Sequence, residues 1–322
     1  MQAFPHSAYT RDQLYQVFLD WQRSSWQGIQ GLRLIEAPEP GPSVGIMAMT
    51  HGNEPAGLAA LDNLWQHRQQ LLAGRVFLMV NNLGAGARYF KEASDLGFTA
   101  HFRFVDQDMN RMPEALHCNS YELQRVHELL PVLKQLDRVL DLHSTSAASP
   151  PMLIEMDPGQ GMLNVASVPV VIRNILPHLR GRALISLCEQ AEGDVIECGS
   201  HEEPGATSIA QQAAWQLLAQ LNMLTDPAHT TQHPRQIYSV YRAVIFPDAS
   251  YRLRRILHSF EHIPAQTLLA EGDGPPLYTE SDSYIIMAPQ RLQPVHPGSE
   301  FFYLASGPPP AENPFGPQKF KI

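Results

Sequence analysis

A histidine and a glutamate three apart, His51 and Glu54, close the segment Thr50-His51-Gly52-Asn53-Glu54. At the end of a strand such a pair can grip one metal ion from two sides. The spacing is common by chance: His258-Ser259-Phe260-Glu261 repeats it in a stretch with no strand-end setting, and a surface His and Glu is the plain alternative. A third candidate, His143 in Asp141-Leu142-His143, closes another apolar run. Asp141 is set on the opposite face of that strand, as a group that orients its surroundings, since metal-ligand shells usually include a carboxylate hydrogen bond. Two imidazoles and one carboxylate leave a fourth position open, which is the arrangement of a catalytic rather than a structural zinc site. Such an ion would lower the pKa of its water to about 7 and polarise a carbonyl oxygen.

That chemistry also needs a base that is not a ligand. Glu197, in Val195-Ile196-Glu197-Cys198-Gly199, ends a third apolar run, and an apolar setting raises a carboxyl group toward the working range. The alternative is a strand-end carboxylate paired with a nearby cation. Positive charge comes from the stretch Arg103-Phe104-Val105-Asp106-Gln107-Asp108-Met109-Asn110-Arg111. An arginine donates a bidentate fork to a carboxylate and is always charged, which suits a developing oxyanion; two solvated surface arginines are the alternative.

The elements that must position these groups follow from periodicity. Leu14, Val17, Phe18 and Trp21 predict an amphipathic helix over Arg11 to Arg23. Apolar runs predict buried strands at Ser43 to Met49, Arg75 to Val80, Val139 to Leu142, Pro169 to Ile172 and Asp194 to Cys198, with a short strand at Phe102 to Val105. A helix begins after Pro55, and others are expected over Ser120 to Leu136 and Ala206 to Leu221; Asn81 to Ala87 reads as a loop. Alternating strands and helices imply an α/β domain built on a mixed, mostly parallel sheet flanked by helices. After Leu224 the pattern turns to short strands at Ile237 to Ile245, Thr267 to Ala270, Tyr284 to Ala288 and Phe301 to Leu304, with a helix expected at most around Tyr251 to Leu257. The division expected is a metal-bearing α/β domain over 1–226 and a smaller β-rich C-terminal domain over 235–322, ending in a proline-rich strap from Gly307.

Taken together, His-Gly-Asn-Glu at 51–54, Asp-x-Asp-Met-Asn-Arg at 106–111, Asp-Leu-His at 141–143 and Ile-Glu-x-Gly at 196–199 resemble the succinylglutamate desuccinylase/aspartoacylase family, which is related to zinc carboxypeptidases. The resemblance implies a zinc carboxypeptidase-like fold whose second domain helps cover the site. It implies that His51, Glu54 and His143 hold one Zn2+ per chain and that Glu197 activates water and passes the proton to the leaving amine. It implies that Arg103 polarises the scissile carbonyl and that Asn110 and Arg111 hold an α-carboxylate. The reaction would be hydrolysis of a small anionic N-acyl amino acid. Two features depart from the family pattern. An arginine expected about ten residues before Glu197, near Leu187, is missing, and the nearest are Arg180 and Arg182; its family role is to contact a substrate carboxylate. The stretch from Asn82 to Arg103 is long and carries Arg88 and Lys91, which could reshape the pocket or supply that cation.

Composition bounds the rest. The chain has 322 residues, 44% of them hydrophobic, and a net charge of −9, with no Lys/Arg block, which speaks against nucleic acid or an anionic membrane surface as partner. Three unpatterned cysteines and the lack of an apolar leader or span suggest a cytoplasmic setting. Association into a homo-oligomer is left open. A carboxypeptidase-like enzyme acting on peptides and an inactive carboxylate-binding protein on the same fold are the rival readings.

Overall fold

A computed structural model describes residues 6–92, 100–114, 116, 119–156, 163–201, 203–225, 234–294, 298 and 300–315. Cys118, most of the stretch from 226 to 234 and the tail beyond 315 lie outside these residues, as do positions 93–99 of the long stretch after Asn82.

The chain opens with α1 (Arg11–Arg23), the ribbon strands β1 (Ser25–Trp26) and β2 (Ile29–Gln30), and then β3 (Leu32–Glu36) and β4 (Glu39–Ala48). Next come α2 (Gly57–Gln66), β5 (Ala73–Val80) and α3 (Leu83–Glu92). They are followed by α4 (Tyr121–Leu133), β6 (Arg138–Thr145), β7 (Met152–Glu155), β8 (Val170–Arg173), β9 (Glu192–Ser200) and α5 (Gly205–Gln220). The remainder forms β10 (Gln236–Ile245), β11 (Arg252–Leu253), β12 (His262–Ile263), β13 (Leu268–Glu271), β14 (Leu277–Tyr278), β15 (Ser283–Ile286) and β16 (Glu300–Ser306).

The main sheet runs β12-β15-β16-β10-β8-β7-β9-β6-β4-β5-β3. At its centre β5, β4, β6 and β9 are parallel neighbours, and β7 joins β9 antiparallel. Helices cover both faces, which is why these strands are apolar throughout rather than alternating. Val44, Ile46 and Ala48 of β4 and Leu140 and Leu142 of β6 pack into the layer holding α1, α2 and α5, whereas Met47 and Val139 face the layer holding α4. The predicted α/β architecture with a mixed, mostly parallel central sheet is thus present. The C-terminal strands β10, β16, β15 and β12 continue the same sheet, because β10 pairs in parallel with β8 and antiparallel with β16. A third apolar cluster, including Phe246, Tyr251 and Phe302, lies under them. Among the described residues no helix is long and apolar enough to cross a membrane.

Three local expectations are corrected. Asn81 to Ala87 is not a loop: α3 begins at Leu83, with Asn82 Oδ1 accepting the Ala85 N–H at 3.0 Å as a helix-start cap. The glycines there serve close packing, since a Cβ on Gly86 would come within 2.7 Å of the Phe18 ring. Phe102 to Val105 forms no strand, because its backbone is satisfied otherwise. The carboxylate of Glu122, buried on α4, accepts the N–H groups of Val105 (2.6 Å), Asp106 (3.0 Å) and Gln107 (3.1 Å). No helix forms around Tyr251 to Leu257; Arg252–Leu253 is instead a short strand paired with β13.

Candidate active site

The carboxyl ends of β4, β6 and β9 lie side by side, the usual place for a site in an open α/β sheet. Just past β4, Met49 adopts φ 54°, a left-handed conformation that turns the chain sharply into Thr50–Glu54. Gly52 is required in that loop: a Cβ there would sit 2.4 Å from the Ala85 backbone of α3. The strand register sets His143 of β6 directly opposite Glu197 of β9.

His51, Glu54 and His143 converge and are all buried, with one ligand atom from each within 4.8 Å of the others. Glu54 stands between the two rings, its Oε2 2.7 Å from His143 Nδ1 and its Oε1 2.9 Å from His51 Nδ1. The outer ring nitrogens are held by carboxylates: His51 Nε2 lies 3.0 Å from Asp108 Oδ1, and His143 Nε2 lies 2.9 Å from Asp141 Oδ2. Carboxylate partners on Nε2 fix the protons there and leave both Nδ1 lone pairs aimed at one point. His51 Nδ1 makes no well-directed hydrogen bond, so a buried ligand atom is left without a partner of its own. The donor set therefore fits a divalent metal.

Asp141 corrects an expectation. Positions 141 and 143 are two apart, so both side chains lie on one face of β6 and the carboxylate meets the imidazole directly. Asp141 is fully buried and is held in turn by the Thr50 hydroxyl at 2.9 Å, which accepts from Asn81 Nδ2. The motif alone gives Asp108 no role. It links His51 to Arg103 Nε (3.1 Å) and accepts the Asn110 N–H at 2.7 Å. The signal that could have singled it out is the Asp-Met-Asn-Arg turn itself, since a carboxylate two residues before Asn110 can reach that residue's own backbone.

Electrostatics follow from this crowding. Burial alone would raise the Glu54 and Asp108 carboxyls, but the neighbouring imidazoles, and for Asp108 also Arg103, hold both well below the carboxylate range. Burial would lower His143, but Asp141 and Glu54 outweigh it and raise the ring well above its ordinary value. Glu197 is different. Burial pushes it up to about 7, helped by the charge of Glu54 and opposed by His143 and Arg103. Its Oε2 is buried without a hydrogen-bond partner among the described residues.

Arg103, about a third exposed, is anchored through Nη1 to Glu54 Oε1 at 2.7 Å as well as to Asp108. The Asn110 side chain lies between two neighbours: Nδ2 is 3.5 Å from His143 Nε2, and Oδ1 accepts the Leu184 N–H at 3.0 Å. Arg111 reaches across to β16, where Nε donates to Glu300 Oε2 at 3.0 Å and Nη2 to the Tyr303 hydroxyl at 3.2 Å. Glu300 and Tyr303 escaped the sequence reading, because only the sheet topology brings position 300 beside position 111. His51, Arg103, Asn110, Arg111, His143, Glu197 and Tyr303 all line one pocket of about 530 Å³, its open mouth included. Glu54 stands just behind this lining.

The model for the succinylglutamate desuccinylase/aspartoacylase catalytic domain matches residues 40–168, a stretch that holds every predicted site residue except Glu197. No curated protein matches the chain by sequence. Solved structures do match by fold. The succinylglutamate desuccinylase of Vibrio parahaemolyticus superposes with a TM-score of 0.65 at 17% identity, over 86% of each chain. That of Vibrio cholerae gives 0.64 at 16% identity, over 91% of this chain and 94% of its own. A succinylglutamate desuccinylase/aspartoacylase from Rhodobacter sphaeroides gives 0.61 at 16% identity, over 86% and 89%. By its motifs, by the match over residues 40–168 and by fold, the chain is similar to the succinylglutamate desuccinylase/aspartoacylase family.

Proposed function

We propose that this protein is a zinc-dependent amidohydrolase that splits a small N-acyl amino acid into a carboxylate and a free amino acid. The observation that carries the reading is the pairing of two unlike carboxylates at adjoining strand ends. Glu54 is held charged between two carboxylate-oriented imidazoles, while Glu197 is buried, unpartnered and raised to about 7. Environments that push neighbouring carboxyls apart in this way mark a ligand and a base.

His51, Glu54 and His143 would hold one zinc ion per chain. The chemistry such an ion supplies when bound is Lewis acidity toward water and a carbonyl oxygen. Glu197 takes a proton from the attacking water at Oε2 and delivers it to the amide nitrogen as the carbon–nitrogen bond breaks. The water oxygen and its second proton remain in the new carboxyl group; that proton then passes to the departing amine, so the products are a carboxylate and an ammonium group. Arg103, fixed by Asp108 and Glu54, places an always-charged guanidinium where negative charge grows on the carbonyl oxygen. Asn110 and Arg111 bind the α-carboxylate of the amino acid. A cytoplasmic setting accords with the free, buried thiols of Cys188 and Cys198.

The test is turnover of N-acetyl, N-succinyl and N-formyl amino acids, with short peptides alongside, by zinc-loaded protein. Glu197→Gln should retain the metal and lose about 10²–10⁴-fold in kcat, the usual worth of a general base. Peptide cleavage in preference to N-acyl amino acids would replace this reading with a carboxypeptidase-like one.

A further inference from the structure

The pocket has a second wall that this chemistry does not use. Besides the polar groups it is lined by Ile154 of β7, Val195 of β9, Ile175, Leu176 and Leu179 after β8, and Ile185. Ile154 and Val195 are register partners, and Val195 lies two residues before Glu197 on the same strand face, so the apolar surface begins beside the base.

Among the described residues, the lining of this wall itself carries no positive charge. The cations among the described lining residues are Arg103 and Arg111; the hydrolase reading gives Arg103 to the scissile carbonyl and Arg111 to the α-carboxylate, and each also meets an enzyme carboxylate, Arg103 those of Glu54 and Asp108, Arg111 that of Glu300, which leaves neither for a second carboxylate on the substrate. Arg173 is tied to Glu155 at 3.0 Å, and the exposed Arg180 turns its guanidinium to the Gly298 carbonyl. Arg88 and Lys91, on α3, are not among the lining residues.

The wall also adjoins the carboxylate anchor. Asn110 Oδ1 takes the Leu184 N–H, and Met112 and Arg182 exchange backbone hydrogen bonds at 3.0 and 2.8 Å, so the Asn110–Arg111 turn and the Ala183–Ile185 segment form one unit. In an amino acid the side chain is one bond from the carbon that bears the α-carboxylate. A ligand anchored at Arg111 therefore lays its side chain against Ile185 and its apolar neighbours.

We infer that the substrate is an N-acyl derivative of an amino acid with an apolar side chain, and that an acidic side chain is rejected. This rests on the hydrolase reading above. A carboxylate placed on this wall would lose its hydration with no cation in return, whereas each buried methylene adds roughly a factor of four.

The test compares N-acetyl-leucine, N-acetyl-alanine and N-acetyl-aspartate with N-octanoyl-aspartate, using zinc-loaded enzyme. We expect kcat/KM for N-acetyl-leucine to exceed that for N-acetyl-aspartate by about 100-fold or more, with N-acetyl-alanine between them. Preference for N-acetyl-aspartate would overturn the inference and leave the hydrolase reading standing. Preference for N-octanoyl-aspartate would also overturn it, by giving the wall to the acyl chain. Calorimetric titration of Glu197→Gln with the same compounds reads the preference without turnover. Tighter binding of the leucine derivative supports the inference even if no compound is hydrolysed, an outcome that would fell the hydrolase reading alone. Equal or weaker binding of that derivative would overturn the inference.

Discussion

Glu54 and Glu197 are the same residue type at neighbouring strand ends, yet their surroundings drive them in opposite directions. In the proposed role of base Glu197 must be ionised to accept a proton, so kcat/KM should fall as pH drops through its pKa. In the metal-free protein that value is about 7. A bound cation nearby stabilises the carboxylate, so the acid limb of the zinc enzyme should lie below 7, and rate profiles on zinc-loaded protein will show this. His143 adds a second dependence of opposite origin. Asp141 and Glu54 keep its ring protonated to higher pH than usual, and only the neutral ring can ligate. Metal affinity should therefore rise with pH, with proton release on binding measurable by titration in buffers of different ionisation enthalpy. Asp141→Asn removes the negative charge that faces His143 Nε2 and should weaken metal binding by about 10–100-fold, read by competition with a chelator.

At the level of elements, the site depends on segments that are not regular. The stretch carrying Arg103, Asp108, Asn110 and Arg111 makes no strand, and the Glu122 carboxylate on α4 fastens its first part through three backbone N–H groups. Glu122→Ala leaves those part-buried donors without their acceptor. It should cost about 1–3 kcal/mol in chemical denaturation, and more in KM than a surface change would. The helix α3 shows the same logic. Its glycines let it lie against α1 and the Met49 turn, so Gly86→Ala should destabilise by about 1–3 kcal/mol, because the buried Phe18 ring would have to shift to admit a methyl group. The apolar runs announced β4, β6 and β9 because strands buried on both faces admit little else. The Phe102 to Val105 run misled because its backbone partner is a side chain 17 residues away, which no local pattern records.

For the whole molecule, the notable contact joins Arg111 to Glu300 and Tyr303 across the length of the chain. Sheet continuity through β8, β10 and β16 puts the C-terminal strands at the pocket, and Tyr303 forms part of its lining. Glu300 occupies part of the fork that a substrate carboxylate would use. Glu300→Gln should therefore lower KM for N-acyl amino acids several-fold, as initial-rate kinetics would show, because the guanidinium then answers one fewer negative charge. The sequence by itself marked the candidate site: His51, Glu54, His143 and Glu197 are legible because strand ends and short motifs are local, and a parallel sheet gathers such ends. Tertiary structure decided the rest. It showed Asp108 and Asp141 aiming the imidazoles, Glu300 sharing Arg111, and an apolar wall drawn from β7, β9 and the segments after β8. Those contacts join positions tens to hundreds of residues apart, and their geometry is set by sheet order and register, which no spacing within one segment encodes.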